Sequence, residues 1–276
     1  MKLSTDEIET VRRWIDAGAK TSAEEKPLAA AGDDFVTPED REHWAFRQVE
    51  RPRVPAFGGS SGGAVRVRTP IDAFILSKLT PKGLELPLDA EKAAFARRAH
   101  LDLLGLPPSP GDVEAFLADE ASGAFERLVD RLLASPRYGE RWGRHWLDAA
   151  GYADSDGYTD ADTERPHAWK YRDHVIRSFN DDKPYDEFLL EQLAGDELAS
   201  YPAAGALTPE KIELLTATGF LRNAADGTGQ GNVDQQRARS QVVADTIAIL
   251  GSGVLGLTLA CAQCHDHRYD PISQRD

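Results

Sequence analysis

The chain is poor in sulfur, with two cysteines and one methionine among 276 residues. Two cysteines cannot build a disulfide framework for a protein of this size. Long apolar runs are also missing. The best candidate, 247–260, is interrupted by Gly251, Gly253 and Gly256 and falls short of the roughly 20 residues a membrane span needs. Basic side chains are outnumbered 32 to 46, a net charge of −14, so the surface as a whole repels nucleic acid and anionic lipid. The N-terminus shows no basic segment followed by an apolar one, so no signal peptide is read there. What remains, 41% apolar and 28% charged residues, is the composition of a soluble globular protein of one or two domains.

Hydrophobic periodicity predicts a mainly α chain with irregular extended segments near its N-terminus. Ile8, Val11, Trp14 and Ile15 recur at helical spacing over 4–19, and Ser4 with Glu7 forms a capping-box pattern. A charged linker over 20–42 follows, then an extended stretch from His43 to Val54 and a Gly/Ser loop from Phe57 to Gly63. Pro70 opens a helix that Pro81 and Gly83 stop. Further helices are expected over 89–104, 110–117, 124–134, from 135 through Leu147, and over 167–180, 185–194, 209–221 and 234–250. Strand-like alternation is scarce, and no internal repeat is found.

Both cysteines fall in Cys261-Ala262-Gln263-Cys264-His265. By simple counting such a placement arises by chance on the order of 10⁻⁴ of the time, so it calls for a chemical reason. Two thiols at this spacing can add to the two vinyl groups of a haem, and the adjacent imidazole can then ligate the iron. Cys261, Cys264 and His265 are therefore the cofactor-binding candidates for haem c, with His265 as metal ligand. Zinc held by Cys261, Cys264, His265 and His267, a redox dithiol, and a structural disulfide are the rival readings. Candidates for a second axial ligand are His43, His100, His145, His167 and His174, and His145 between Trp142 and Trp146 reads rather as core.

From Asp154 to Glu164 five carboxylates fall within eleven residues. Alternating oxygen donors about Gly157 suit calcium, although the glycine stands at the wrong position for an EF-hand loop. A solvated loop is the plainer reading. A third makes Asp154 or Asp156 a general base, with Arg165, Lys170 and Arg172 holding an anionic substrate.

A series of ordered motifs resembles the planctomycete cytochrome-associated domain family. These are the segment from Leu101 to Pro110, that from Leu133 to Trp142 with His145-Trp146-Leu147-Asp148, and Tyr152-Ala153-Asp154-Ser155-Asp156-Gly157-Tyr158. Tyr171-Arg172-Asp173, the segments 192–196 and 217–222, and Cys261 to His267 with Asp270-Pro271-Ile272 complete it. Residues 3–19 separately resemble the closing helix of a cytochrome c domain. The resemblance implies three segments: 1–20 as the end of a cytochrome c domain, 21–42 as linker, and 43–276 as the cytochrome-associated domain. It also implies that the chain is part of a longer, exported protein with a neighbouring cytochrome c domain and a C-terminal partner domain.

The leading expectation is an extracytoplasmic, electron-transfer-related haem c module in which Asp266, His267, Arg268 and Asp270 support His265 or the haem propionates. The alternative is a polysaccharide-acting or carbohydrate-binding domain in which the cysteine motif is structural. Trp142, Trp146, Tyr152, Tyr158 and Trp169 would then stack on sugar, with Asp154 or Asp156 as acid/base. A third possibility is a scaffold that presents the neighbouring cytochrome domain.

Overall fold

The computed structural model describes residues 4–19, 37–56, 67–157, 162–201, 206–229, 231 and 233–275. The Gly/Ser loop at 57–63, most of the linker at 20–42, and Tyr158 to Ala161 lie outside the described residues. Among the described residues the structure is helical, with eleven α-helices and no strand. The chain divides into two compact units, one of 1–49 with 264–276 and one of 50–263.

The first unit carries α1 (Thr5–Asp16) and α2 (Pro38–Arg41). Both start on a reciprocal capping box, Ser4 with Glu7 and Thr37 with Asp40, which satisfies N–H groups the first turn leaves open. The helix α2 and a 3₁₀ turn at Trp44–Phe46 stand in a region read from sequence as linker and extended chain. Only 47–56 is irregular throughout.

The second unit holds α3 (Pro70–Leu79), α4 (Lys92–Leu104), α5 (Pro110–Ala118), α6 (Ala124–Leu133) and α7 (Arg137–Ala149). Then follow α8 (Ala168–Asn180), α9 (Tyr185–Leu198), α10 (Pro209–Ala217) and α11 (Gln235–Leu250). Helix α4 packs on α5, α6 and α7, while α7 pairs with α8, and α10 lies against both α8 and α9.

Two apolar clusters hold the unit. Ala96, Phe116, Ala124, Leu128 and Leu132 form one, and Phe125 meets Phe95 and Phe116 edge-on beside it. Leu147, Ala150, Tyr171, Val175, Phe188 and Phe220 form the other. Each wholly buried Val or Phe contributes about 2 kcal/mol, more than the helix propensity of any single residue.

Two glycines let these helices approach closely. A Cβ on Gly139 would lie 2.3 Å from Ile176 O, and one on Gly195 2.1 Å from Leu214 O. Gly195 follows a kink at Ala194 (φ −137°, ψ 23°). The sequence reading ends the helix at this kink, but a further turn continues to Leu198.

Helix α10 likewise gives way at Ala217 to a 3₁₀ turn, Thr218–Arg222. After α11 the chain makes a π-helical turn, Gly251–Leu255, closed by Gly256 at φ +67°. It then enters the 3₁₀ turn Ala260–Gln263.

Candidate functional site

The cysteine motif is continuous in sequence, and its residues are divided between the two units, each described by itself. Cys261 belongs to 50–263, and Cys264 and His265 to the other. On the first side, the turn Ala260–Gln263 packs on α11, where Gln263 Nε2 donates to Gln241 Oε1 at 3.3 Å. Both cysteines are exposed and form no disulfide.

On the other side, the exposed His265 has Nδ1 2.8 Å from the backbone carbonyl of Asp266. A carbonyl oxygen can only accept, so Nδ1 carries a proton and is the donor of this bond. An imidazole that presents Nε2 to a metal needs this state.

The residues after His265 close on one another. His267 is the one buried residue described in 264–275. Its Nδ1 accepts from Asp270 N at 2.8 Å and Tyr269 N at 3.3 Å. Its own N–H donates to Ile272 O at 2.8 Å, and Gln274 N donates to Asp266 Oδ1 at 2.9 Å. Arg268 lies over the Tyr269 ring, 5.5 Å from its centroid. Among the described residues no three His, Cys, Asp or Glu side chains are gathered as a metal site.

The remaining histidines are spread over separate elements. His43 is exposed, and its Nδ1 accepts from Ala45 N at 3.4 Å. His100 is buried with Nδ1 2.9 Å from Ala96 O, a local bond to the preceding helical turn. His167 is exposed before α8. His145, read from sequence as core, is exposed instead, edge-on to Trp142 with centroids 5.5 Å apart. The reason is that α7 packs through Gly139, Gly143 and Leu147, which leaves Trp142 and His145 outside.

The acidic loop is tied by its own protein. Tyr152 Oη donates to Asp154 Oδ1 at 2.6 Å, and burial together with this carboxylate pushes the phenol pKa up. Arg165 Nε donates to Asp156 Oδ1 at 2.9 Å and Arg165 Nη2 to Ala224 O at 2.7 Å. Asp162 accepts from Ser155 Oγ at 3.1 Å and Gly157 N at 2.9 Å. Asp160 lies outside the described residues. Arg172 is turned to Asp173, with Nη2 2.9 Å from Oδ1.

Of the aromatic candidates, Trp146 packs against the core around Phe220. Its Nε1 donates to Tyr171 Oη at 3.0 Å and Gln192 Oε1 at 2.9 Å. Trp169 is exposed, with Lys170 Nζ 5.9 Å from its ring centroid. Tyr158 is not among the described residues.

Two buried polar networks escaped the sequence reading. One joins Trp146, Tyr171 and Gln192. The other sets His174 Nδ1 3.2 Å from Glu213 Oε2 and Nε2 3.9 Å from Glu191 Oε2. Their only sequence signal is a polar residue on the inward face of an otherwise apolar helix.

No curated protein and no solved structure matches the chain. A family model does match, from Pro70, the first residue of α3, to Asp276, and so includes the cysteine motif and the helices of the second unit. On that match the chain belongs to PSCyt2 (DUF1549), a family described as a protein of unknown function.

Proposed function

We propose that the chain is a c-type haem-binding, electron-transfer-related module of a larger exported protein. In this reading Cys261 and Cys264 form the thioethers, and His265 supplies Nε2 as axial ligand. The observation that carries it is the state of the motif: two exposed, unbridged thiols three residues apart, followed by an imidazole whose Nδ1–H is already committed to Asp266 O. This donor set fits the group. Each S–H adds across one vinyl C=C, forming one C–S and one C–H bond with no net oxidation or reduction. A bound haem would supply a one-electron Fe(III)/Fe(II) couple.

Covalent haem attachment requires export, so the reading places the module outside the cytoplasm. The neighbouring cytochrome c domain and the C-terminal partner domain implied by the family resemblance would be its partners within the same protein. The carbohydrate reading has less support, because Trp146 is engaged in the core and Asp156 is paired to Arg165.

The test is export of the chain in a host with a working cytochrome c maturation system. One haem per chain that survives acid–acetone extraction is expected. A colourless protein overturns the reading. Glycan turnover by a haem-free Cys261→Ala/Cys264→Ala variant would favour the polysaccharide alternative.

A further inference from the structure

We propose that His267 is the positioning residue for His265: by closing the turn from 267 to 272 it fixes the peptide whose carbonyl holds His265 in its Nδ1–H form.

The peptide between Asp266 and His267 links the two histidines. A peptide unit is planar and rigid, so its C=O and N–H point in opposite directions and move together. At one end of this unit the His267 N–H donates to Ile272 O at 2.8 Å. At the other, Asp266 O accepts from His265 Nδ1 at 2.8 Å. Whatever holds Ile272 O in place therefore aims the carbonyl that orients His265.

The side chain of His267 holds it. Asp270 N and Tyr269 N both point at its Nδ1, at 2.8 and 3.3 Å. Asp270 O accepts from Ile272 N at 2.8 Å. Backbone N–H groups can only donate, so Nδ1 of His267 is the acceptor. Asp270 Oδ2, 3.3 Å from the same nitrogen, therefore receives no proton from it. His267 is buried while Cys264, His265, Arg268 and Tyr269 around it are exposed. The two histidines thus use Nδ1 in opposite senses: that of His267 accepts, and that of His265 donates.

Free imidazole favours the proton on Nε2, so the state of His265 requires an acceptor placed at Nδ1. The tautomer itself is a property of the haem-free chain; its consequence for iron ligation rests on the reading above.

The test uses the full, haem-free chain with ring-¹⁵N histidine, whose nitrogen shifts report each tautomer directly. Wild-type His265 is expected in the Nδ1–H form. In His267→Ala it should revert to mainly Nε2–H, with loss of exchange protection at the Asp270 amide. His267→Asn, which carries an amide oxygen near the place of Nδ1, should retain the wild-type pattern. His267→Gln, whose amide lies one bond further out, should lose it. The comparison of Asn with Gln answers the question if the Ala variant does not fold. An Nδ1–H His265 persisting in the Ala or Gln variant overturns the proposal, as does an Nε2–H His265 in the wild type.

Haem content of the matured wild-type protein is measured in parallel. Absence of haem there with the expected tautomers refutes the cytochrome reading and leaves the positioning role standing.

Discussion

The imidazole of His174, enclosed between α8, α9 and α10, donates from Nδ1 to Glu213 Oε2 at 3.2 Å while its Nε2 has no hydrogen-bond partner among the described residues. Glu213 is shared with Arg177 at 2.8 Å. Glu191, which faces Nε2 from α9, is paired to Lys183. The ring lies parallel to Phe188, 7° between planes. This is a neutral histidine held by carboxylates that are themselves neutralised by Arg177 and Lys183.

Burial pulls the His174 pKa below its usual 6.5, with Lys183 adding to the shift and Glu213 opposing it. Above the ordinary value the residue is neutral in both folded and unfolded chains, and stability does not depend on its titration. As pH falls, the unfolded chain takes the proton first, so stability declines until the lowered folded value is passed. Glu213 acts later: burial raises its pKa, but Arg177 and His174 outweigh that and lower it. Its contribution is lost as pH falls further, below the ordinary carboxylate value. The urea midpoint should therefore decrease from about pH 7 to pH 5, and His174→Gln should flatten that part of the curve. An unchanged slope in the variant would exclude His174 as its source.

Gly139 and Gly195 should not tolerate a methyl group. In each case the added Cβ would press on a backbone carbonyl of the facing helix, Ile176 O or Leu214 O, which cannot rotate away as a side chain can. Gly139→Ala and Gly195→Ala are each expected to cost about 2–3 kcal/mol, lowering Tm by about 2–4 °C for every kcal/mol. Gly111→Ala is the control, since nothing among the described residues lies within 4 Å of its added Cβ. There a gain of about 0.5 kcal/mol is expected.

The same glycines show why part of the fold was illegible. Capping is local, so Ser4 with Glu7, and Pro70 as a first helical residue, are read from neighbours in sequence. The inward face of α7 could not. A periodicity search follows large apolar side chains, yet this face includes Gly139 and Gly143 because it touches backbone. The sequence pattern consequently places His145 on the wrong side of α7. At α9 the kink at Ala194 accompanies the contact of Gly195 with α10, a tertiary event with no local marker. The cysteine motif is visible in the sequence because its donor residues stand within five consecutive positions. The turn behind it was not, because His267 works through backbone groups of Tyr269, Asp270 and Ile272.

The Trp146–Tyr171–Gln192 network should respond asymmetrically to loss of its members. Gln192 Oε1 accepts from both Tyr171 Oη, at 2.6 Å, and Trp146 Nε1, at 2.9 Å, while its Nε2 donates to Phe188 O at 2.9 Å. Tyr171→Phe removes one donor and leaves the other, at a cost of about 1 kcal/mol. Gln192→Leu leaves the Tyr171 hydroxyl and Phe188 O without their partner, at a cost of about 2–3 kcal/mol. The double variant should fall short of the sum, because both changes break the same bond. Strict additivity in urea titrations would mean that the three side chains act independently.

Single replacements in the cysteine motif should separate attachment from ligation. Cys261→Ser and Cys264→Ser each leave one thiol able to react, so each matured variant should retain covalent haem with one vinyl group intact. An intact vinyl extends the conjugation of the ring, which moves the absorption bands to longer wavelength than in the wild type. His265→Ala keeps both thiols, so its haem should resist acid–acetone extraction while its spectrum loses the signature of an imidazole-bound iron. If both serine variants gave wild-type spectra, the thiols would not be the points of attachment. If His265→Ala left the ligand-field spectrum unchanged, the axial nitrogen would come from another histidine, and the Nε2 of His265 would have a different use.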